Sequence, residues 1–156
     1  MMKAQIQNSL FMVSEIKVSY QPKFKACERP KVTQSKDAYN ILFHNWDQGR
    51  IEMNEQFFIL LLNRANNVMG MAEISSGGFS GTLVDPKLVF GIALKSCASS
   101  IILCHNHPSG NLKPSEADLT MTKRLVEAGK LLDLMILDHI ILTKRDYFSF
   151  GDEGLL

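Results

Sequence analysis

No apolar run in this sequence is long enough to cross a bilayer. The longest, FFILLL from Phe57 to Leu62, falls far short of the roughly 20 residues a spanning helix needs. Cysteine is scarce: Cys27, Cys97 and Cys104 are scattered without a CxxC pair, which argues against a disulfide framework and a cysteine-rich zinc site and implies reduced thiols. The opening MMKAQIQNSLFMV has neither a continuous apolar stretch nor a small-residue cleavage signal, so it does not read as a secretory peptide, and a cytoplasmic location with no membrane association is expected. Repeats and low-complexity tracts are missing, and so is any overall charge excess, the net being +1 over 156 residues. With 46% hydrophobic residues, that length fits one globular domain around a single core.

What is present is unevenly placed. Residues 1–36 hold seven Lys and Arg against two acids, a balance of +5, while the remainder holds ten against fourteen, a balance of −4. A basic arm can attract nucleic acid or an acidic partner, although composition by itself favours a solvated extension. The chain divides into a basic, extended arm over residues 1–34 and one domain over residues 35–156. In the domain, SKDAYNILFHNW reads as a helix behind a Ser35 cap. EQFFILLLN and NVMGMAEIS read as a strand pair joined by an Asn-rich turn, and ISSGGFSGT as a Gly/Ser loop. DPKLVFGIALKSCA opens with an Asp85 cap and Pro86 at the first helical position. SSIILC is a buried strand running into His105, PSEADLTMTKRLVEAGKLLD a helix capped by Ser115, and LMILDHIIL a further strand. This alternation predicts an α/β fold, a mixed sheet flanked by helices.

The chemistry gathers in CHNHPSGNLKPSEAD, Cys104 to Asp118. In extended chain His105 and His107 share one face, with Asn106 on the other. On the following helix Asp118 aligns with Met121, Thr122, Leu125 and Leu132 on the apolar side, so a carboxylate turns inward. An inward carboxylate is unfavourable unless cations or donors meet it. A divalent metal resolves the conflict. Two imidazoles and a carboxylate suit Zn²⁺, with bonds of about 2.0–2.2 Å and a fourth position left for water; nickel, cobalt or iron suit such donors too. The alternative is a pair of hydrogen-bonded histidines beside a capping Ser and Asp.

Other HxH patterns do not fit. Metallo-β-lactamases need HxHxDH, histidine-triad hydrolases a third alternating histidine, amidohydrolases a much larger barrel, and zinc deaminases a later PCxxC. H-x-H, seven residues, then S-x-x-D resembles the JAMM motif of the JAB/MPN metalloprotease superfamily, and IILCHNHPSGNLKPSEAD with LDHIIL resembles its bacterial RadC branch, from about Glu55 to Ser149. The resemblance implies the three-layer, cytidine-deaminase-like JAB/MPN arrangement and one Zn²⁺ held by His105, His107 and Asp118 with a water completing the shell. It also implies Glu55 as general base to that water and Ser115 as hydrogen-bond donor to the tetrahedral oxyanion. Ser115 reads equally as a helix cap. Glu52 and Glu73 are weaker candidates for the base, better read as solvent-facing. Cys104 reads as core packing, and His139 as a satisfied structural histidine that a ligand-orienting role would also fit. His44 has no companion, and Asn106 and Ser109 shape the loop.

The expected activity is zinc-dependent cleavage of a peptide, isopeptide or related amide. The alternative is a DNA-associated module, in repair or mobile-element biology, that uses the basic arm. Longer RadC proteins carry a helix-hairpin-helix ahead of this domain, and no glycine-bearing hairpin is visible here. Substrate and oligomeric state are not written in these motifs.

Overall fold

A computed structural model describes residues 12–17, 19–77 and 83–156. The first eleven residues of the arm, Val18, and residues 78–82 of the Gly/Ser loop lie outside the described residues. Three helices, α1 (Ser35–Asn45), α2 (Pro86–Lys95) and α3 (Glu116–Leu131), flank five strands: β1 (Gln56–Leu62), β2 (Val68–Ser76), β3 (Ser100–Asn106), β4 (Met135–Leu142) and β5 (Tyr147–Ser149). The sheet order is β2-β1-β3-β4-β5. β3 and β4 pair in parallel across the α3 crossover, and the other neighbours pair antiparallel. The expected mixed sheet between helices is what forms.

Each face of the sheet has its own core. Ala38, Tyr39 and Leu42 of α1, with Trp46, cover Leu60, Leu62, Ile102, Cys104, Ile140 and Leu142. Val89, Phe90 and Ala93 of α2, with Leu125 of α3, cover Phe57, Ile59, Leu61, Ile101 and Leu103. β3 is buried along its whole length, as its continuous apolar run requires of a central strand. Cys104 therefore faces α1, away from the histidines, and burial pushes its thiol pKa well up. The free cysteines form no disulfide. Among the described residues, no helix is long and apolar enough to cross a membrane.

Local chemistry explains the element ends. Asp85 accepts from the Lys87 N–H and Pro86 opens α2, as read from sequence. α1 differs: Ser35 lies inside the first turn, and the Asp37 carboxylate accepts from the Thr33 and Gln34 N–H groups and the Thr33 hydroxyl. Ser35 instead bonds Asp152 and Tyr147 near the C-terminus. Leu132, read as apolar-side, is 43% exposed because α3 has already ended. That end is tight, since a Cβ on Gly129 would collide with the Leu134 carbonyl.

One irregularity in the sheet decides which way two buried polar side chains of β4 point. β3 and β4 pair residue for residue except that Ile101 faces Ile136 and Ile102 faces Asp138, leaving Leu137 as an extra residue. Regular alternation from the inward Ile136 would turn His139 toward α1. The bulge brings it to the α2/α3 face beside Leu103, and puts Asp138 on the other. There burial raises the Asp138 pKa against the opposing pull of its donors, Ser149 Oγ and the Gly151 and His139 N–H groups.

The arm meets the sheet edge. Val32 N–H donates to Asn66 O, Val68 N–H to Pro30 O, and the Tyr20 hydroxyl to Met69 O at 2.7 Å, so this part of the arm lies along the β2 side. Among the described residues, the arm's strand-like pairing is a single bridge, Lys31 to Asn67.

Candidate metal centre

Pairing geometry explains how residues 50 positions apart come together. β1 runs antiparallel to β3, with Phe57 opposite His105, so the start of β1 lies beside the end of β3. Glu55, immediately before β1, is thereby delivered to the histidines. Asn106, on the opposite face of β3, holds it there: its Oδ1 accepts from Gln56 N–H at 2.7 Å, and its Nδ2 donates to Ile51 O at 2.7 Å and Asn54 O at 2.9 Å. Sequence reading gave Asn106 a share in shaping the metal loop; its larger task is to clamp the segment that carries Glu55.

α3 supplies the acid. Ser115 caps it, with its Oγ accepting from Asp118 N–H, while Asp118 Oδ2 accepts from Ser115 N–H at 2.7 Å and from Ser115 Oγ–H at 2.6 Å. That reciprocal box fixes the carboxylate and turns Oδ1 toward His105 Nε2, 3.3 Å away. Desolvation alone would raise the Asp118 pKa, but protons carried on the facing Nε2 atoms of His105 and His107, with the Ser115 hydroxyl, outweigh it and hold the carboxyl well below the usual carboxylate range.

The hydrogen-bond network fixes both imidazole tautomers. Thr122 Oγ1–H donates to the Asp118 carbonyl at 2.6 Å, so Oγ1 accepts from His139 Nδ1–H, also at 2.6 Å. His139 Nε2 must then accept, and His105 Nδ1–H donates to it at 2.8 Å. His105 Nε2 is left with a lone pair. Separately, His107 Nδ1–H donates to the Asn111 carbonyl at 2.6 Å, leaving a lone pair on its Nε2 as well. These two Nε2 atoms lie 3.0 Å apart. Two lone pairs directed at one another beside a carboxylate require an electrophile between them. A proton meets part of the demand: desolvation disfavours the charged form of His107, but Asp118 and the Asn111 carbonyl prevail and raise its pKa.

A divalent cation meets it fully. Ligand atoms of Glu55, His105, His107 and Asp118 all lie within 4.8 Å of one another. A tetrahedron with bonds of about 2.0–2.1 Å has edges of about 3.3–3.4 Å. His105 Nε2 lies 3.0 Å from His107 Nε2 and 3.3 Å from Asp118 Oδ1, near that edge, and Asp118 Oδ2 is 3.7 Å from His107 Nε2. Glu55 stands off a little, 3.9 Å from His105 Nε2. The donor set fits zinc.

Ligand atoms of Glu55, His105, His107 and Asp118, the side chains singled out from sequence, come together, and a further histidine joins them. His139, taken as a satisfied structural histidine, is fully buried against Phe150 and Phe57 and is the residue that sets the His105 tautomer. Burial, then the neighbouring His105, keep its own pKa well below the ordinary histidine value. Thr122 was seen only as an apolar-side position, yet it sits four residues after Asp118 on the same helix face and completes the chain of bonds. Glu52 instead pairs with Lys144 at 3.1 Å, and exposed Glu73 accepts weakly from Gln56, so neither reaches the cluster. Replacing His139 with Phe keeps the aromatic packing but frees the His105 ring. Zinc affinity is expected to fall by about 10–100-fold, measured by competition with a chromophoric chelator.

A three-layer α/β domain with His-x-His at the C-terminal end of a central strand, an acid on the next helix and a glutamate before the first strand defines a domain of the JAB/MPN class. A family model for the RadC-like JAB domain matches residues 32–155, and the chain belongs to that family. A UPF0758 protein of Flavobacterium johnsoniae is 48% identical over 125 residues, which cover 80% of this chain and 53% of the relative. Another from Clostridium acetobutylicum is 40% identical over 133 residues, covering 85% and 57%, and one from Methanosarcina mazei is 38% identical over 126 residues, covering 81% and 54%. The chain spans about half the length of the curated relatives it matches.

Proposed function

We propose that this domain is a zinc-dependent amide hydrolase acting on a peptide or isopeptide bond. The observation that carries this reading is the convergence of two tautomer-locked Nε2 lone pairs and the Asp118 carboxylate, with a further carboxylate, Glu55, at 3.9 Å from one of them. Zinc held by His105, His107 and Asp118 would supply Lewis acidity and make water a nucleophile near neutral pH. Glu55 takes the proton of the attacking water on a carboxylate oxygen as the oxygen–carbon bond forms. It then hands that proton to the amine nitrogen as the carbon–nitrogen bond breaks, so one residue serves as base and acid. Ser115 borders the cleft beside Glu55 and His107. Its hydroxyl donates to Asp118 Oδ2 in the resting arrangement, and a turn about its Cβ–Oγ bond redirects that hydrogen to the substrate carbonyl oxygen as charge builds there. The cleft favours an amide over a nucleic-acid substrate. Of the described residues bordering it, only Lys113 and Arg124 carry a permanent positive charge, too few to track a phosphate backbone.

Protein purified without chelator and away from nickel resins is expected to carry about one zinc per chain, lost on His107→Ala. The zinc-loaded full chain is then expected to release new amines from a library of peptides and isopeptides. A parent protein that takes up no zinc even when zinc is supplied would overturn this reading.

A further inference from the structure

We propose that the α3 side of the cleft is a substrate subsite for one large apolar side chain flanking the scissile amide. This rests on the amide-hydrolase reading and adds a specificity to it.

The cleft has two unlike halves that share Glu55. Toward the His107–Asn111 loop, a cavity of about 330 Å³ is bordered by Asn54, Ser109, Asn111, Lys113 and Ser115 together with Met53 and Pro108, a lining richer in polar groups than the other half. Toward α3, a cavity of about 500 Å³ opens directly onto Glu55, His105 and Asp118; most of its lining is apolar, with Phe57, Val84, Pro86, Met121 and Leu125, and Glu116, Thr120 and Arg124 also border it. That volume lies within the roughly 300–1,000 Å³ range of pockets that take small ligands. Phe57 and Leu125 are each only 1% exposed and belong to the α2/α3 core, so the floor is rigid. Met121 and Val84 are half-buried, packed on one side against that core and bordering the cavity on the other.

Phe57 also packs against His105 and His139, but Val84, Met121 and Leu125 are not needed to hold a metal. The ligands are fixed by Ser115, His139, Asn111 and the strand pairing, so an apolar wall touching the reacting atoms bears on what lies next to the bond being cut. A chain laid through the centre places one flanking residue among Phe57, Val84, Met121 and Leu125 and the other among amides, hydroxyls and Lys113. The occupant is therefore an amphipathic segment, a peptide with a bulky apolar residue on one side only. A wholly apolar ligand such as a lipid tail would leave the polar half unmatched.

Hydroxamates separate the two readings, because the hydroxamate group needs only an accessible metal and its substituent probes the pocket. Acetohydroxamate and phenylpropionohydroxamate are titrated calorimetrically into the zinc-loaded full chain. The phenyl compound is expected to bind about 10–100-fold tighter, as burial of one phenyl group implies. In Met121→Asp, and independently in Val84→Asp, the ratio of the two dissociation constants is expected to collapse toward one. Equal binding of both compounds by the parent, or a ratio unchanged in both variants, overturns the subsite and leaves the metal centre standing. Binding of neither removes the accessible metal, and the subsite with it.

Discussion

Asp118→Ala is expected to weaken zinc binding on the order of a thousandfold or more. Removing one unit charge about 4 Å from another is worth roughly 4 kcal/mol at the effective dielectric of a protein site, about three decades in affinity, and a divalent ion at bonding distance feels more. The substitution also removes the carboxylate half of the Ser115–Asp118 capping box. Loss of a cap costs about 0.5–2 kcal/mol of stability, too little to imitate the expected loss. Chelator competition gives the affinity, and thermal denaturation of the metal-free protein gives the cap contribution separately. A variant that loses less than about tenfold in affinity would leave Asp118 as a capping residue only.

Glu55→Gln separates chemistry from metal binding. Glutamine has nearly the shape of glutamate, and the backbone that places it is untouched: Asn106 still clamps the segment through Ile51, Asn54 and Gln56, and Gly77 N–H still donates to the residue 55 carbonyl. What disappears is the proton acceptor. Amide turnover is expected to fall by about 10²–10⁴-fold, the usual worth of a positioned general base. Zinc content should persist, because Glu55 stands further from His105 Nε2 than either His107 Nε2 or Asp118 Oδ1 does. Undiminished turnover would move the base elsewhere. Loss of zinc would make Glu55 a fourth ligand.

The features legible in the sequence are the local ones. His105 and His107 share a face because extended chain alternates, and Asp118 turns inward because helix periodicity places it with Thr122 and Leu125, so both followed from spacing. The Asp85–Pro86 start of α2 and the Ser115 start of α3 were equally local. The role of Glu55 came from resemblance, and its delivery to the histidines depends on antiparallel pairing between β1 and β3, a non-local fact. Asn106 looked like a loop residue because its partners lie about 50 positions upstream. For His139 both a structural and a ligand-orienting role were open; its side of the sheet depends on the residue inserted at Leu137, which LMILDHIIL carries no glycine or proline to mark. The α1 cap was misplaced by one residue: the helix already includes Ser35, Asp37 reaches back to the Thr33 and Gln34 N–H groups, and the Ser35 hydroxyl meets a distant carboxylate, Asp152.

Leu137 gives β4 one residue more than β3 can pair, and its spare position makes the strand unusually forgiving of a change in length at one point. A chain without Leu137 would run β3 and β4 in unbroken step and still carry the residues of Asp138 and His139 on their present sides. Within the site itself a gain or loss of one residue would not be absorbed: between His105 and His107 it parts the imidazoles, and between Ser115 and Asp118 it rotates the carboxylate about 100° around the helix. The strand thus carries slack at Leu137, while the spacings His105–His107 and Ser115–Asp118 leave none.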